Sequence, residues 1–270
     1  MSPLLTDDAG TAHEPADAGA RVLSLVPSLT ELVFDLGLAD RLVGRTNFCV
    51  HPVDAIGDIP SVGGTKQVDM DKVRAIAPTH ALVNIDETPK DLADELGAMG
   101  IRVVVTHPIA VADNRKLFRL IGSLFGAEQS VSRLEQEFDA ALKRLSERAH
   151  HWSPRKVLYL IWRKPWMSIS ADTYIAAMLA EAKMSVVEHA SDARYPEVDI
   201  NTGMLEGVDL VLFSTEPFPF QEKHLQAFRD KFPAHAEKAK LIDAEMVSWY
   251  GNRAVAGLDY LATFADEVNA

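Results

Sequence analysis

The residues best suited to hold a small molecule are aromatic side chains in polar loops. Trp162 and Trp166 lie just past an apolar run, within WRKPWMS, and Trp249 with Tyr250 precedes the last helical segment. Phe48 lies in a loop after another apolar run. Loops are exposed, so rings there are available to stack on a flat or bulky ligand. The alternative is that some of these rings cover the ends of a sheet.

Several cationic residues lie in the same loops. Lys66, Arg163, Lys164 and Arg253 could pair with carboxylates or phosphates of a ligand, although each also fits a solvated surface charge. Nine histidines suggest a metal, but no spacing suits a chelate on one helix face. His107, which follows an apolar run, is the one candidate. We therefore expect no metal bound directly by the protein.

Composition and missing motifs narrow the function. A net charge of −12 argues against a nucleic-acid partner, and no apolar run approaches the length of a membrane span. The sequence lacks GxGxxG, GxxxxGK[ST], HExxH, GxSxG and CxxC. An enzyme is not excluded, but none is predicted. A single cysteine, Cys49, rules out an intrachain disulfide.

Alternating apolar runs and helical patterns predict parallel sheets covered by helices. The predicted strands span residues 21–26, 42–45, 81–85 and 101–106 in the first half, and 156–162, 185–188, 209–214 and 240–243 in the second. Two segments, AIAPTHALVNID and LEGVDLVLFSTE, resemble each other weakly and suggest two lobes of like design. Since the carboxyl ends of parallel strands form the ligand crevice, we expect binding residues there.

The longest helical pattern spans residues 128–151. Its apolar positions recur at spacings of three and four and so share one face; they are Val131, Leu134, Phe138, Leu142, Leu145 and Ala149. Such a helix could join two lobes or lie on the surface of one domain. The predicted order is an acidic disordered arm at 1–20, an α/β lobe at 21–110, a connecting segment at 111–153 and a second α/β lobe at 154–270.

The first 20 residues contain no basic or apolar stretch typical of a secretory signal, so the sequence as it stands predicts a cytoplasmic protein. A periplasmic or surface-anchored location is the alternative if a leader is missing. After this arm, Ser28 and Glu31 fit the capping box of a first helix.

Three blocks carry a family resemblance: RVLSLVPSLTELVFDLGLADRLVGRTNFCVHP, VGGTKQVDMDKVRAIAPTHALVN, and Trp249-Tyr250 before the last helix. They resemble the cobalamin- and iron-siderophore-type substrate-binding proteins of ABC importers, the helical-backbone metal-receptor superfamily, with the cobalamin-binding branch nearer. The resemblance implies two Rossmann-like lobes with mainly parallel sheets joined by one long backbone helix. It also implies a metal chelate, most simply a corrinoid such as cobalamin, held non-covalently between the lobes.

The resemblance extends to individual positions. Phe48 matches a ligand-stacking aromatic, Tyr195 matches an aromatic that lines the pocket, and Trp249 falls in a cleft loop. Thr65 falls where a cobalamin-binding member has Trp, so that contact is missing. With the loop residues above, the predicted ligand-binding set is Phe48, Thr65, Lys66, Trp162, Arg163, Tyr195, Trp249 and Tyr250.

The resemblance further implies a transporter partner. Members use one exposed acidic residue on each lobe to pair with arginines of an ABC permease. Asp71 matches the first, while the second falls near Asn201, which is not acidic; Asp199 and Glu206 are close by. We predict docking through Asp71 and Glu206, by a protein that is otherwise a monomer.

Two other functions fit the same features. One is a cytoplasmic corrinoid- or tetrapyrrole-processing enzyme or chelatase, which would need His107 close to Asp86 or Glu216. The other is a ligand sensor that has kept the binding fold and lost its transporter.

Overall fold

The computed structural model describes residues 5–269, and the chain forms two compact units. The first comprises the chain up to Pro108 together with Ala112–Phe138 and Tyr250–Arg253; the second comprises Ile109–Val111, Asp139–Trp249 and the chain from Ala254 onward. The division falls inside the long helix. The short segment Tyr250–Arg253 belongs to the first unit, although the sequence around it belongs to the second.

The described part of the first unit contains six strands and four complete α-helices. The strands are Leu5–Thr6 (β1), Ala12–His13 (β2), Val22–Ser24 (β3), Leu42–Arg45 (β4), His80–Asn84 (β5) and Arg102–Thr106 (β6). The helices are Pro27–Asp35 (α1), Met70–Ile76 (α2), Lys90–Ala98 (α3) and Asp113–Phe125 (α4), with 3₁₀ turns at Ala39–Arg41 and Ile56–Asp58.

The long helix Glu128–Ala149 (α5) leads into the second unit. The strands there are Arg155–Leu160 (β7), Trp162–Arg163 (β8), Trp166–Met167 (β9), Met184–Val186 (β10), Leu210–Ser214 (β11) and Ala239–Ile242 (β12). The helices are Tyr174–Glu181 (α6), Thr202–Glu206 (α7), Glu222–Lys231 (α8), Ala244–Ser248 (α9) and Arg253–Asn269 (α10), with a 3₁₀ turn at Pro233–Lys238.

The two units share one sheet topology. The strand order is β4-β3-β5-β6 in the first and β10-β7-β11-β12 in the second, and every pair within these sheets is parallel. The two segments that resemble each other in sequence contain β5 and β11, the third strands of the two orders. The predicted fold class is therefore confirmed.

The central strands explain why these runs are so apolar. All five residues of β5 and all five of β11 are buried. A strand covered by helices on both faces cannot alternate apolar and polar residues, so it reads as a continuous apolar run.

The apolar stripe of α5 is buried as the spacing predicts. Val131, Leu134, Phe138, Leu145 and Ala149 are buried, and only Leu142 of the predicted set is partly exposed. The helix ends at Ala149, two residues before the predicted end.

Each end of α5 is tied to its own unit by an ion pair. In the first unit, Arg133 donates to the Asp35 carboxylate at 2.8 Å. In the second, the Arg144 guanidinium binds the Asp259 carboxylate through two nitrogens. The helix is thus attached to both units.

The predicted disordered arm is wrong for its described residues, 5–20. Strand β1 pairs antiparallel with β2, and the Asp7 carboxylate between them is buried. It accepts hydrogen bonds from the backbone nitrogens of Ala9, Thr11 and Val105 and lies 3.0 Å from His13 Nε2. An acidic residue that composition assigns to a solvated arm instead fixes a hairpin to β6. Residues 1–4 of the predicted arm lie outside the described residues.

The predicted capping box of the first helix is also wrong. Helix α1 begins at Pro27, with Val26 as its N-cap, so Ser28 lies inside the first turn. Proline suits this first position because its missing N–H needs no partner there. Glu31 instead accepts two hydrogen bonds of 2.8 Å from the Arg253 guanidinium.

His80, the first residue of β5, is an ionisable group within the core of the first unit. It is only 1% exposed, and its ring stands edge-on to Phe125 with centroids 5.3 Å apart. Nδ1 lies 2.8 Å from the Thr79 hydroxyl, while Nε2 has no hydrogen-bond partner among residues 5–269. Burial, followed by the positive charge of Arg102, lowers the pKa of His80 to about 4.

The hairpin leads to a prediction for Asp7. Replacing Asp7 by Ala should lower the free energy of unfolding by about 3 kcal/mol, because buried amide groups lose their acceptor. Urea denaturation followed by circular dichroism measures the change. Glu14→Ala, an exposed carboxylate in the same segment, is the control and should change it by less than about 0.5 kcal/mol. Equal effects of the two substitutions would contradict the structural role of Asp7.

Candidate ligand-binding site

The loops after the strands of the first unit collect at one edge of its sheet. Because the strands are parallel, Phe48 after β4, Ile85 and Asp86 after β5, and His107 after β6 all follow carboxyl ends. This is the edge where open α/β sheets bind ligands. Phe48 and Ile85 are both exposed apolar side chains there.

Phe48 is the most exposed aromatic side chain among those predicted to bind the ligand, at 59%. Its ring atom Cε2 lies 3.6 Å from the point where a Cβ of Gly64 would be. The backbone nitrogen of Asn47 donates to the Gly63 carbonyl oxygen at 2.7 Å, which joins the Phe48 loop to the Gly63-Gly64 turn. The exposed ring therefore has a supported position.

The glycine turn places two further predicted residues beside Phe48. Gly63 has φ +117°, and a Cβ there would meet the Gln67 carbonyl oxygen at 2.6 Å, so only glycine fits. Gly64 donates to the same carbonyl at 2.9 Å. Thr65 and Lys66 lie within this turn, so the structure brings them together with Phe48.

A small buried polar cluster lies next to Phe48 in the chain. Cys49 is fully buried, and its Sγ lies 3.1 Å from Thr30 Oγ1 and 3.2 Å from Thr46 Oγ1. Burial raises the pKa of the Cys49 thiol. The thiol is thus protonated at neutral pH and anchors the loop that carries Phe48.

His107 and Asp86 meet across the ends of β5 and β6. His107 Nε2 lies 3.5 Å from Asp86 Oδ2, and the backbone nitrogen of His107 donates to Asp8 Oδ2 at 2.5 Å. Within the described part of the chain, no group of three or more His, Cys, Asp or Glu side chains is placed to hold a metal ion. The pair could instead donate a proton to, or accept a proton from, a ligand bound at this edge of the sheet.

Tyr250 is buried in the first unit, at 6% exposure. Its hydroxyl donates to Glu87 Oε1 at 3.2 Å. Burial, and then the negative charge of Glu87, raise the pKa of Tyr250 well above its ordinary value. The phenol is therefore a permanent hydrogen-bond donor next to the loop that follows β5.

In the second unit, an antiparallel hairpin follows β7. It consists of β8 and β9, so the predicted strand 156–162 is divided and Trp162 lies in the hairpin. Trp162 is 39% exposed and packs edge-on against Phe218, with centroids 5.6 Å apart. Arg163 and Trp166 lie on the same hairpin, beside α8.

The expected exposure of the loop aromatics holds for some and fails for others. Phe48, Trp162 and Tyr195 are exposed, whereas Trp249 and Tyr250 are buried. Trp249 directly follows the short helix α9, and its backbone nitrogen still donates to the Glu245 carbonyl at 3.3 Å. A sequence pattern identifies such residues as loop residues but does not show what covers them. Their roles in ligand binding stay predictions.

The predicted docking residues are exposed carboxylates. The Asp71 side chain is 93% exposed in the first turn of α2 and is 2.7 Å from Arg74 Nη1. Glu206 is exposed at the end of α7 in the second unit. Asn201, the non-acidic residue, caps α7 by accepting a hydrogen bond from the Met204 nitrogen at 3.1 Å. Its side chain therefore has a structural role that suits an amide as well as an acid.

Sequence reasoning missed two features of these edges. Ile85 and Val53 are exposed apolar residues in the loops after β5 and β4. Ile85 directly follows β5 in the sequence, whereas Val53 lies further along the loop after β4. The second is a pocket between the β8–β9 hairpin and α8 in the second unit, whose members lie far apart in the sequence.

A family model described as "Periplasmic binding protein" matches residues 22–244. That match covers most of the chain and both sheets. The chain belongs to this family. Among the helices of residues 5–269, none combines the length and the apolar character needed to cross a bilayer.

Curated relatives of the chain include the vitamin B12-binding protein of Yersinia pestis (strain Pestoides F). The two are 23% identical over 159 residues, which are 59% of this chain and 56% of the relative. The matched region thus spans only a little over half the length of that relative.

Solved structures support the fold over nearly the whole chain. The periplasmic vitamin B12 binding protein BtuF of Vibrio cholerae has a TM-score of 0.79 at 15% identity and covers 92% of this chain and 97% of its own. The periplasmic heme-binding protein RhuT of Roseiflexus sp. RS-1 in apo form has a TM-score of 0.79 at 18% identity, covering 93% and 100%. At these identities the likeness establishes the fold alone.

The buried thiol leads to a prediction about the Phe48 loop. Iodoacetamide should alkylate Cys49 in the native protein at least about tenfold more slowly than in the unfolded chain, because burial covers the thiol and disfavours the thiolate. Mass spectrometry of quenched samples measures the rates. In a Cys49→Ala background, Val50→Cys places a thiol at the exposed neighbouring position and should react quickly in the native state. Rapid labelling of native Cys49 would contradict the placement of this loop.

Proposed function

We propose that the protein is a substrate-binding protein that holds a metal chelate, most simply a corrinoid of the cobalamin type, for ABC-type uptake. The observation that carries the proposal is Phe48, a 59% exposed ring on a supported turn at the carboxyl edge of the first sheet. Membership in the periplasmic binding protein family supports a binding role. The B12-binding relative supports the choice of ligand class.

The chemistry of the first edge suits a large, partly apolar ligand. Phe48 and Ile85 offer exposed apolar surface, and Lys66 and His107 offer polar groups at its margin. Binding sites for cofactor-sized molecules combine a mainly apolar lining with a few polar groups that fix orientation. Corrinoids and other tetrapyrrole-like chelates present a flat macrocycle with polar substituents at its rim, which matches such a lining.

The second unit by itself offers a similar edge. Trp162 is held by Phe218 and remains partly exposed, and Tyr195 is also exposed. An aromatic ring fixed by a neighbouring ring loses little conformational entropy on binding, so its contact with a ligand is more favourable. Both units therefore carry a stacking aromatic after the carboxyl end of a strand.

A transporter partner is part of the proposal. Asp71 and Glu206 supply an exposed carboxylate on each unit, and both lie on short helices. Exposed carboxylates can form bidentate pairs with arginines of an ABC permease. Because such pairs at an exposed rim are screened by salt, docking through them should weaken as ionic strength rises.

The ligand can be identified by titration. Purified protein should bind cyanocobalamin or dicyanocobinamide, followed by calorimetry and by the ligand's visible spectrum, and hemin and a ferric siderophore serve as competing classes. Phe48→Ala should raise the Kd roughly tenfold, because a stacked aromatic contributes on the order of 1–2 kcal/mol. Leu241→Ala removes another exposed apolar side chain, on β12, and should leave the Kd unchanged.

Each outcome of this titration is informative. Tight binding of hemin alone would retain a chelate-binding function and replace the corrinoid. Absence of binding to all four ligands would contradict the proposal. An equal effect of Leu241→Ala and Phe48→Ala would contradict the position of the site.

One observation favours a second candidate, the tetrapyrrole-processing enzyme. His107 and Asp86 lie 3.5 Å apart at the edge where the ligand is proposed to bind, as such an enzyme would require. A histidine next to a carboxylate can remove protons from pyrrole nitrogens during metal insertion.

The enzyme alternative has its own test. Protein mixed with protoporphyrin IX and Co²⁺ or Fe²⁺ should show spectral conversion faster than buffer if it is a chelatase, and His107→Gln should slow that conversion about 100-fold. The binding function predicts no acceleration, together with chelate affinity that His107→Gln changes little. Conversion at the rate of the buffer would exclude the chelatase.

A further inference from the structure

A pocket of about 470 Å³ lies in the second unit, between the β8–β9 hairpin and α8. Its size falls in the range of sites for small organic molecules. It does not include Trp162, whose ring packs against Phe218. Of the residues predicted to bind the chelate, Arg163 alone lines this pocket.

Three cations line this pocket: Arg163 and Lys164 from the hairpin and Lys231 from the end of α8. No Asp or Glu is among the lining residues, and within residues 5–269 none of the three cations forms an ion pair with a carboxylate. By contrast, Arg229 of the same helix pairs with Glu222. The pocket thus concentrates positive charge in a chain whose net charge is −12.

Three aromatic side chains, Trp166, Phe228 and Phe232, also line the pocket. Trp166 stacks on the buried Phe220 with their ring planes 6° apart, and Phe228 packs against Phe232 with centroids 5.2 Å apart. The Lys231 ammonium lies 4.9 Å from the centroid of the Phe232 ring. Rings held by core neighbours give a preformed surface, so a ligand does not have to order them.

The other polar side chain at the pocket is a neutral donor. His224 Nδ1 accepts a hydrogen bond of 2.9 Å from the Gln221 backbone nitrogen, which leaves the proton of the neutral ring on Nε2. Burial, and then the positive charges of Arg163 and Lys223, lower the pKa of His224. Arg163, Lys164, Lys231 and His224 therefore offer donors in this environment, which suits a ligand that supplies acceptors and negative charge.

We propose that this pocket is a second binding site, which takes a small aromatic carboxylate. The ring of the ligand would lie against Trp166 and Phe232, and its carboxylate would bind Arg163 and Lys231. Arg163 matters most for orientation because a guanidinium binds a carboxylate through two parallel hydrogen bonds. An inorganic anion alone would lack the aromatic contact, and a neutral aromatic would lack the charge pairing.

Matched ligands test the proposal. By calorimetry or ligand-observed NMR at low salt, the full chain should bind 2-naphthoate at least about tenfold more tightly than the isosteric 2-naphthamide. Lys231→Gln should weaken 2-naphthoate about fivefold and leave 2-naphthamide unchanged. Lys223→Gln removes a charge from the same helix at a position that does not line the pocket, and should weaken 2-naphthoate far less than Lys231→Gln does.

Three results would overturn the proposal: no binding of 2-naphthoate at millimolar concentration, equal affinity for the acid and the amide, or an effect of Lys223→Gln as large as that of Lys231→Gln. The far-ultraviolet circular dichroism of each variant shows whether it is folded. No chelate enters this experiment, so its result does not depend on whether the proposed chelate binding is correct.

Discussion

Parallel pairing of the strands is the constraint on which both units depend. Parallel neighbours cannot be joined by a tight turn, so each connection must cross a face of the sheet, here mostly as a helix. Both faces are thereby covered, and the central strands β5 and β11 become wholly buried. The same geometry sends every carboxyl end to one edge. Polar and aromatic loop residues far apart in sequence, such as Phe48 and His107, therefore belong to the same edge of the first unit.

Features that depend on local patterns could be predicted from the sequence. The buried strands were predicted because burial on both faces produces runs of apolar residues, and Leu42–Arg45 even has the predicted bounds. The α5 stripe was predicted because a helix repeats its apolar face every three or four residues. Phe48 could be identified as an exposed aromatic because it lies in the loop after β4.

Features that depend on contacts between distant residues could not be predicted. Asp7 looks like part of a solvated acidic arm until Val105, 98 residues away, donates to its carboxylate. Trp249 and Tyr250 look exposed because nothing local indicates what covers them. The cationic pocket combines a hairpin with a helix about 60 positions later, and each of its charges by itself resembles an ordinary surface charge.

The buried histidine at the start of β5 links folding to proton concentration. An unfolded chain protonates His80 near its ordinary pKa of about 6.5, whereas the native chain does so only at about 4. Since the native pKa is depressed, the unfolded state binds more protons between these values. His80 therefore contributes its full stabilisation above about pH 6.5 and loses it as the pH falls toward 4, by an amount on the order of 3 kcal/mol. A core residue of the first unit thus makes the protein intrinsically sensitive to acid.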